Sequence, residues 1–234
     1  MTTVTKATAS ARSVFAGASV VLVANEISLS IFKPMWLGQT NILRPDELSG
    51  DCVISPGAIQ IPTAQFNLLI LLNRLQMAFA EMDDEIVTEP LNRVLGGILK
   101  NLPHTPFVGI GFNFDFFVGP SDLDKFADWS KELFASDSAL AVCANPTDHP
   151  RFGAYFSLDF EGMRLKINAR PVKGAVAAPK VVEQLQTASE WMHFNFNFHL
   201  DLNPDTPAQT ALEALAKWNL VAAKTRSIIA QLPG

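Results

Sequence analysis

Two alternating phenylalanine-rich stretches and a set of helical stripes predict an α+β fold, with antiparallel sheet covered by amphipathic helices. In Trp191 to Asn203, WMHFNFNFHLDLN, residues Met192, Phe194, Phe196, Phe198, Leu200 and Leu202 take every second position. His193, Asn195, Asn197, His199, Asp201 and Asn203 take the others. Side chains of a strand alternate between faces, so one face is apolar and must be covered while the other is polar. In Phe107 to Phe117, Val108, Ile110, Phe112, Phe114 and Phe116 share one face, and Gly109, Gly111, Asn113 and Asp115 share the other. The related wording FNFDFF and FNFNFH, each between helix-like segments, suggests an internal duplication into two β-hairpin, helix, strand, helix halves. Residues 1–13 read as a flexible arm, 14–142 as the first half and 143–234 as the second, and the halves can form one compact domain.

The elements follow in chain order. Ala18 to Phe32 holds one or two strands, the second resting on the alternation of Ile27, Leu29 and Ile31, with Pro34 ending the run. Met35 to Leu43 is expected as a further strand with Trp36 as a core anchor, before a polar loop from Arg44 to Asp51. Ile59 and Ile61 mark a short strand closed by Pro62. Phe66 to Phe79 fits either strands or a buried helix, and the hairpin form of the second half favours strands. From Thr88 the period turns helical, with Leu91, Val94, Leu95, Ile98, Leu99 and Leu102 in one stripe, Thr88 as cap and Pro103 as stop. Gly96 and Gly97 inside it cost about 1 kcal/mol each relative to Ala, which points to a close packing contact.

Ser121 and Asp124 suggest a capped helix with Leu123, Phe126, Ala127, Ser130 and Leu133 turned inward. Cys143 to Pro150 is turn-rich and marks the boundary between halves. Tyr155 to Arg170 reads as a hairpin with Glu161-Gly162 at its tip. It pairs Phe160 with Met163, Leu158 with Leu165 and Phe156 with Ile167 on one face, and Asp159 with Arg164 and Ser157 with Lys166 on the other. A small-residue loop from Lys173 to Pro179 and a short helix from Val181 precede the central strand. Thr206-Pro207-Ala208-Gln209 then opens a last helix expected to run unbroken to about Leu232.

The 234-residue chain is 48% hydrophobic and only 18% charged, less charged than a typical soluble domain at about 25%. That composition suggests an extra buried surface, in a homo-oligomer or against a protein partner. A net charge of −5 and a pI near 5.3 argue against nucleic acid as the main partner. Two cysteines make no disulfide framework and suit a cytoplasmic setting, and no apolar run is long enough to span a membrane.

Chemistry is confined to a few places. His199 and Asp201 lie two apart on one strand face, about 7 Å between α-carbons, and could share a metal or a proton with help from a residue such as Asp115. His193, about 20 Å from His199 along the strand, cannot join them. Arg164, Lys166 and Arg170 form a basic row suited to a carboxylate or phosphate. Gly109-Ile110-Gly111 lies within a strand and is no dinucleotide fingerprint. Cys143 reads as a buried small residue and His104 as a surface one. P-loop, nucleophile-elbow and His-Glu-x-x-His patterns are absent from the sequence.

The leading expectation is a non-enzymatic interaction or assembly protein working through sheet edges or its long last helix. The alternative is a small-ligand or metal-binding protein, or an enzyme, using Asn113, Asp115, Asn195, Asn197, His199 and Asp201 with Arg164 and Lys166. No cofactor or metal is specified by the sequence.

Overall fold

The computed structural model describes residues 11–49, 52–136, 150–173 and 190–234. Most of the expected arm, residues 143–149 of the expected boundary, the loop after Lys173 and the short helix from Val181 lie outside them. Nine antiparallel strands form one sheet: β1 Arg12–Ala24, β2 Val53–Ile54, β3 Ala58–Pro62, β4 Phe66–Leu71, β5 Arg74–Phe79, β6 Phe107–Gly119, β7 Ala154–Phe160, β8 Met163–Lys173 and β9 Glu190–Asp201. Their order is β2-β3-β4-β5-β1-β6-β9-β8-β7. The α-helices among the described residues are α1 Pro34–Gln39, α2 Asp84–Asn101, α3 Phe126–Phe134, α4 Pro207–Leu215 and α5 Trp218–Ala230.

The two Phe-Asn strands are direct neighbours and pair in phase. Phe112 faces Phe198, Asn113 faces Asn197, Phe114 faces Phe196, Asp115 faces Asn195 and Phe116 faces Phe194. All six phenylalanines are therefore on one side, and Phe112, Phe114, Phe196 and Phe198 are fully buried. Trp218 of α5 packs against them, 5.1 Å from Phe114 and 5.9 Å from Phe79 between ring centroids. Buried residues of α2, α3, α4 and α5 belong to the same cluster as these phenylalanines.

β1 carries a bulge between Phe15 and Gly17, where one extra residue, Ala16, enters the strand. The bulge changes which parity faces the core. Phe15 packs on Phe116 with centroids 5.2 Å apart, and beyond the bulge Ala18, Val20 and Leu22 take over the buried side. Val14 and Ala16 are thereby sent to the opposite face, against Phe117 and Trp191. β1 starts at Arg12, inside the segment expected as an arm.

The hairpin from Tyr155 to Arg170 has the anticipated register. Glu161 and Gly162 both have positive φ, 51° and 79°, the backbone of a type I′ turn whose twist suits a two-residue hairpin. Phe66 to Phe79 is also a hairpin, β4 paired with β5.

Four expectations are corrected. First, Ile27, Leu29 and Ile31 form no strand. β1 ends at Ala24, and Leu29–Ile31 is a single 3-10 turn; Ile27, before it, is buried while Ile31 is exposed.

Second, Met35 to Leu43 is α1 and its reversal, with Pro34 in the first turn, where its missing N–H costs nothing. Asn41 takes a left-handed φ of 54°, and the amides of Ile42 and Leu43 both return to the carbonyl of Leu37. This is a helix stop that buries Leu37, Ile42 and Leu43 together. Trp36 is partly buried against that core, edge-on to Phe32.

Third, α2 begins before Thr88. The Asp83 carboxylate accepts a hydrogen bond from the Glu85 amide, Asp84 and Glu85 occupy the first turn, and Pro90 lies inside the helix. Thr88 donates to Asn219 of α5 instead. Likewise Asp122, not Ser121, caps the 3-10 turn Leu123–Lys125 that leads into α3, accepting from the Asp124 amide.

Fourth, the last helix is two. α4 ends at Leu215, and α5 restarts at Trp218. Lys217 in the break donates to the Glu161 carbonyl at the β7–β8 turn, 2.8 Å away. Thr206 makes no side-chain cap bond. Gln209 bonds Glu213 rather than reaching back, so the expected capping box does not form.

A part-buried clasp holds α2 to the segment after α1. Arg93 donates to both oxygens of Glu47, at 2.6 and 2.9 Å, to Glu89 at 2.8 Å and to the Ile42 carbonyl at 2.6 Å. Burial alone would lower the Arg93 pKa. The hydrogen bonds and charges of Glu47 and Glu89 outweigh it and hold the guanidinium above its ordinary value. Replacing Glu47 by Gln removes one charge from this pair and is expected to cost about 1–3 kcal/mol in urea unfolding.

The paired glycines of α2 separate by environment. A Cβ on Gly97 would sit 3.0 Å from Ile42 Cγ1, whereas one on Gly96 would sit 3.6 Å from Leu212. Gly96→Ala should therefore raise stability by up to about 1 kcal/mol through helix propensity. Gly97→Ala should lower it by about 1 kcal/mol through overpacking. Thermal melts of the two variants read the opposite signs.

Candidate functional site

The face of the sheet opposite Trp218 carries the polar residues of β6 and β9, and the register lays them out in rows. Ser19 of β1, Asn113, Asn197 and Lys166 of β8 form one row. Asp115, Asn195 and Asn168 form the next, and Phe117, His193 and Arg170 a third. Gly111, His199 and Arg164 form the row on the other side.

Most of these groups bond one another. The Asn197 amide donates to Asn113 Oδ1 at 2.7 Å, and Asn113 donates to Ser19 Oγ at 3.4 Å. Asp115 Oδ1 accepts from Asn195 at 3.0 Å and lies 2.8 Å from His193 Nε2. Arg170 Nε donates to His193 Nδ1 at 3.4 Å, which makes Nε2 the protonated nitrogen facing Asp115 in the neutral ring. His193 stacks on Phe117 with centroids 5.1 Å apart.

The expected site is thus brought together only in part. Asn113, Asp115, Asn195 and Asn197 meet on adjacent strands. His199 and Asp201 bond each other at 3.0 Å near the strand end. Asp115 does not join them, because it is in register with Asn195 and its carboxylate is held by His193 and Asn195. Arg164 lies opposite His199, but its guanidinium turns to Asp159 at 2.9 Å across the hairpin. Lys166 stands exposed beside Asn197. Among the described residues no group of three or more His, Cys, Asp or Glu side chains is placed to hold a metal ion.

Two features escaped the sequence reading. One is the His193–Asp115 pair, which becomes legible only once the Phe-Asn strands are known to be in phase, since His193 is then diagonal to Asp115. The other is a closed end to the polar face. Trp191 and Phe117 are buried there beneath the partly buried Val14, Ala16, Leu123 and Val172, and the Arg12 guanidinium lies 5.6 Å over the Trp191 ring. Gly119 makes this packing possible, because a Cβ at that position would come within 2.8 Å of Leu123.

Between that end and His199 the face is concave, with a cavity of about 390 Å³ lined by Ser19, Val21, Val23, Arg74, Gln76, Gly111, Asn113, Asp115, Asn195, Asn197 and His199. Glycine at 109 and 111 lets β9 side chains lie over β6. A Cβ on Gly109 would meet the His199 ring at 3.1 Å, and one on Gly111 would meet Asn197 Nδ2 at 3.5 Å.

No protein-family model matches the chain, and no curated protein matches it.

Asp115 accepts two hydrogen bonds in a part-buried setting. Asp115→Ala is expected to lower stability by about 1–3 kcal/mol by stranding the His193 and Asn195 donors. In NMR spectra the His193 ring resonances should then move while those of His199 stay in place.

Proposed function

We propose that this chain is a non-enzymatic assembly subunit that joins copies of itself through the open edge of β7. The observation that carries the reading is the character of that edge. β7 pairs with β8 on one side and with no described strand on the other. It is seven residues long, and Tyr155, Phe156 and Leu158 are 63%, 46% and 38% exposed. Proteins usually blunt such an edge with Lys, Pro, a bulge or a very short strand. The opposite edge is short, since β2 has two residues. β7, AYFSLDF, has neither Lys nor Pro.

The strand is also self-complementary. Antiparallel pairing of two copies about Ser157 sets Phe156 against Leu158, Tyr155 against Asp159 and Ala154 against Phe160. Apolar faces apolar on the core side, a phenol can donate to a carboxylate on the other, and no like charges are opposed. A closed two-fold dimer with one continuous sheet would follow.

The same reading takes α2 to α5 as the cover of the phenylalanine face and keeps the two halves as related units. In support, a hairpin precedes and a helix follows each Phe-Asn strand, β4-β5 and α3 for β6 and β7-β8 and α4 for β9, and the two strands pair symmetrically about Phe114 and Phe196. It places the chain in the cytoplasm with a protein partner rather than nucleic acid, supported by two cysteines and a net charge of −5. Among the described residues, no helix is long and apolar enough to cross a membrane.

Light scattering after gel filtration tests the proposal. Wild type at tens of micromolar should run at twice the 25.5 kDa chain mass, and Phe156→Lys should run as a folded monomer. A wild-type monomer at every concentration, or a Phe156→Lys dimer, would contradict it.

A further inference from the structure

We infer that the concavity over Gly111 is a binding site for a hydroxylated organic anion, a sugar phosphate or a sugar acid. The inference is independent of pairing at β7, which lies at the far edge of the sheet.

Three observations carry it. Gly111 lies at the floor: without a side chain there, the cavity of about 390 Å³ opens between the β1 and β5 residues on one side and those of β9 on the other. That volume suits a ligand of monosaccharide size with one charged substituent. Next, the charged and polar groups not used up internally are concentrated on one wall. The amides of β6 and β9 are tied to each other, to Ser19 and to Asp115, and His199 is tied to Asp201. Arg74 and Gln76 line the opposite wall, and neither has an ion pair or side-chain hydrogen bond among the described residues. A guanidinium donates in a planar fork that matches a carboxylate or a phosphate.

The remaining valences fit hydroxyl groups. After its bond to a neighbour, each of Asn113, Asn195 and Asn197 still has an amide N–H or a carbonyl lone pair to offer. A hydroxyl both donates and accepts, so it can satisfy either. Val21 and Val23 supply apolar surface against which the C–H face of a sugar ring can lie. Asp115 would repel an anion, but it stands in the row beyond Asn113, and its Oδ1 is occupied by His193 and Asn195. The anionic group is therefore placed at Arg74 and the hydroxyls along Asn113, Asn195 and Asn197.

Titration calorimetry of the full chain with glucose 6-phosphate, glucuronate, glucose and inorganic phosphate tests this and separates the two anion types. At least one of the two sugar anions should bind saturably, with glucose and inorganic phosphate at least tenfold weaker. Arg74→Gln, an exposed change, should weaken the bound anion at least tenfold and leave glucose unchanged. Gly111→Val should abolish binding by filling the floor; should it fail a thermal-melt check for folding, Arg74→Gln decides alone. Absence of saturable binding by both sugar anions, or an Arg74→Gln variant that binds as tightly as wild type, would overturn the assignment.

Discussion

The phase of the β6–β9 pairing is the constraint on which the structure depends. Because side chains alternate along a strand, a slip of one residue would turn every phenylalanine of one strand toward water. Each such side chain stabilises the fold by about 1.5–3 kcal/mol when buried, so the in-phase register is strongly specified. It puts Phe112, Phe114, Phe116, Phe194, Phe196 and Phe198 on one side with Trp218, and it sends every Asn, Asp and His of the two strands to the other. The polar rows and the glycine floor follow from the same choice.

A sheet with one face used for the core has two other surfaces to offer, its second face and its edges. Here the second face is largely self-satisfied, through the Asn197–Asn113–Ser19 and Asn195–Asp115–His193 bonds, and its far end is closed by Trp191. The concavity beside Arg74 and the backbone of β7 are the surfaces on which the two proposals rest. The two surfaces involve different residues, so either could operate without the other.

The parts legible in the sequence were those set by local period and turn chemistry. The alternation at 110–116 and 192–198 gave the faces directly, whereas Val108, expected on the covered face, is exposed near the strand end. Glu161-Gly162 gave the hairpin register, because a two-residue turn leaves little choice of pairing. The stripe from Leu91 to Leu102 and the packing role of Gly97 were also readable. What escaped depended on contacts distant in sequence. Met35 to Leu43 has strand-like composition but becomes helix because Pro34 opens a turn that buries Leu37, and left-handed Asn41 closes it. The break at Ala216-Lys217 carries no Gly or Pro, and it falls where Lys217 reaches Glu161 and Trp218 enters the core. Likewise the bulge at Ala16 leaves both sides of β1 rich in small and apolar residues, so the parity change is hidden. Asn113, Asp115, Asn195 and Asn197 share the face that their alternation assigned them, but Arg74, Gln76 and His193 could be joined to them only through the strand order.

Amide hydrogen exchange followed residue by residue at increasing protein concentration is the most direct test. The account predicts that amides of 107–119 and 190–201 exchange slowest and do not change with concentration, while those of 154–160 become protected as concentration rises. Exchange of 154–160 that is independent of concentration would contradict the view that this chain, having committed one sheet face to its core, assembles through its edge.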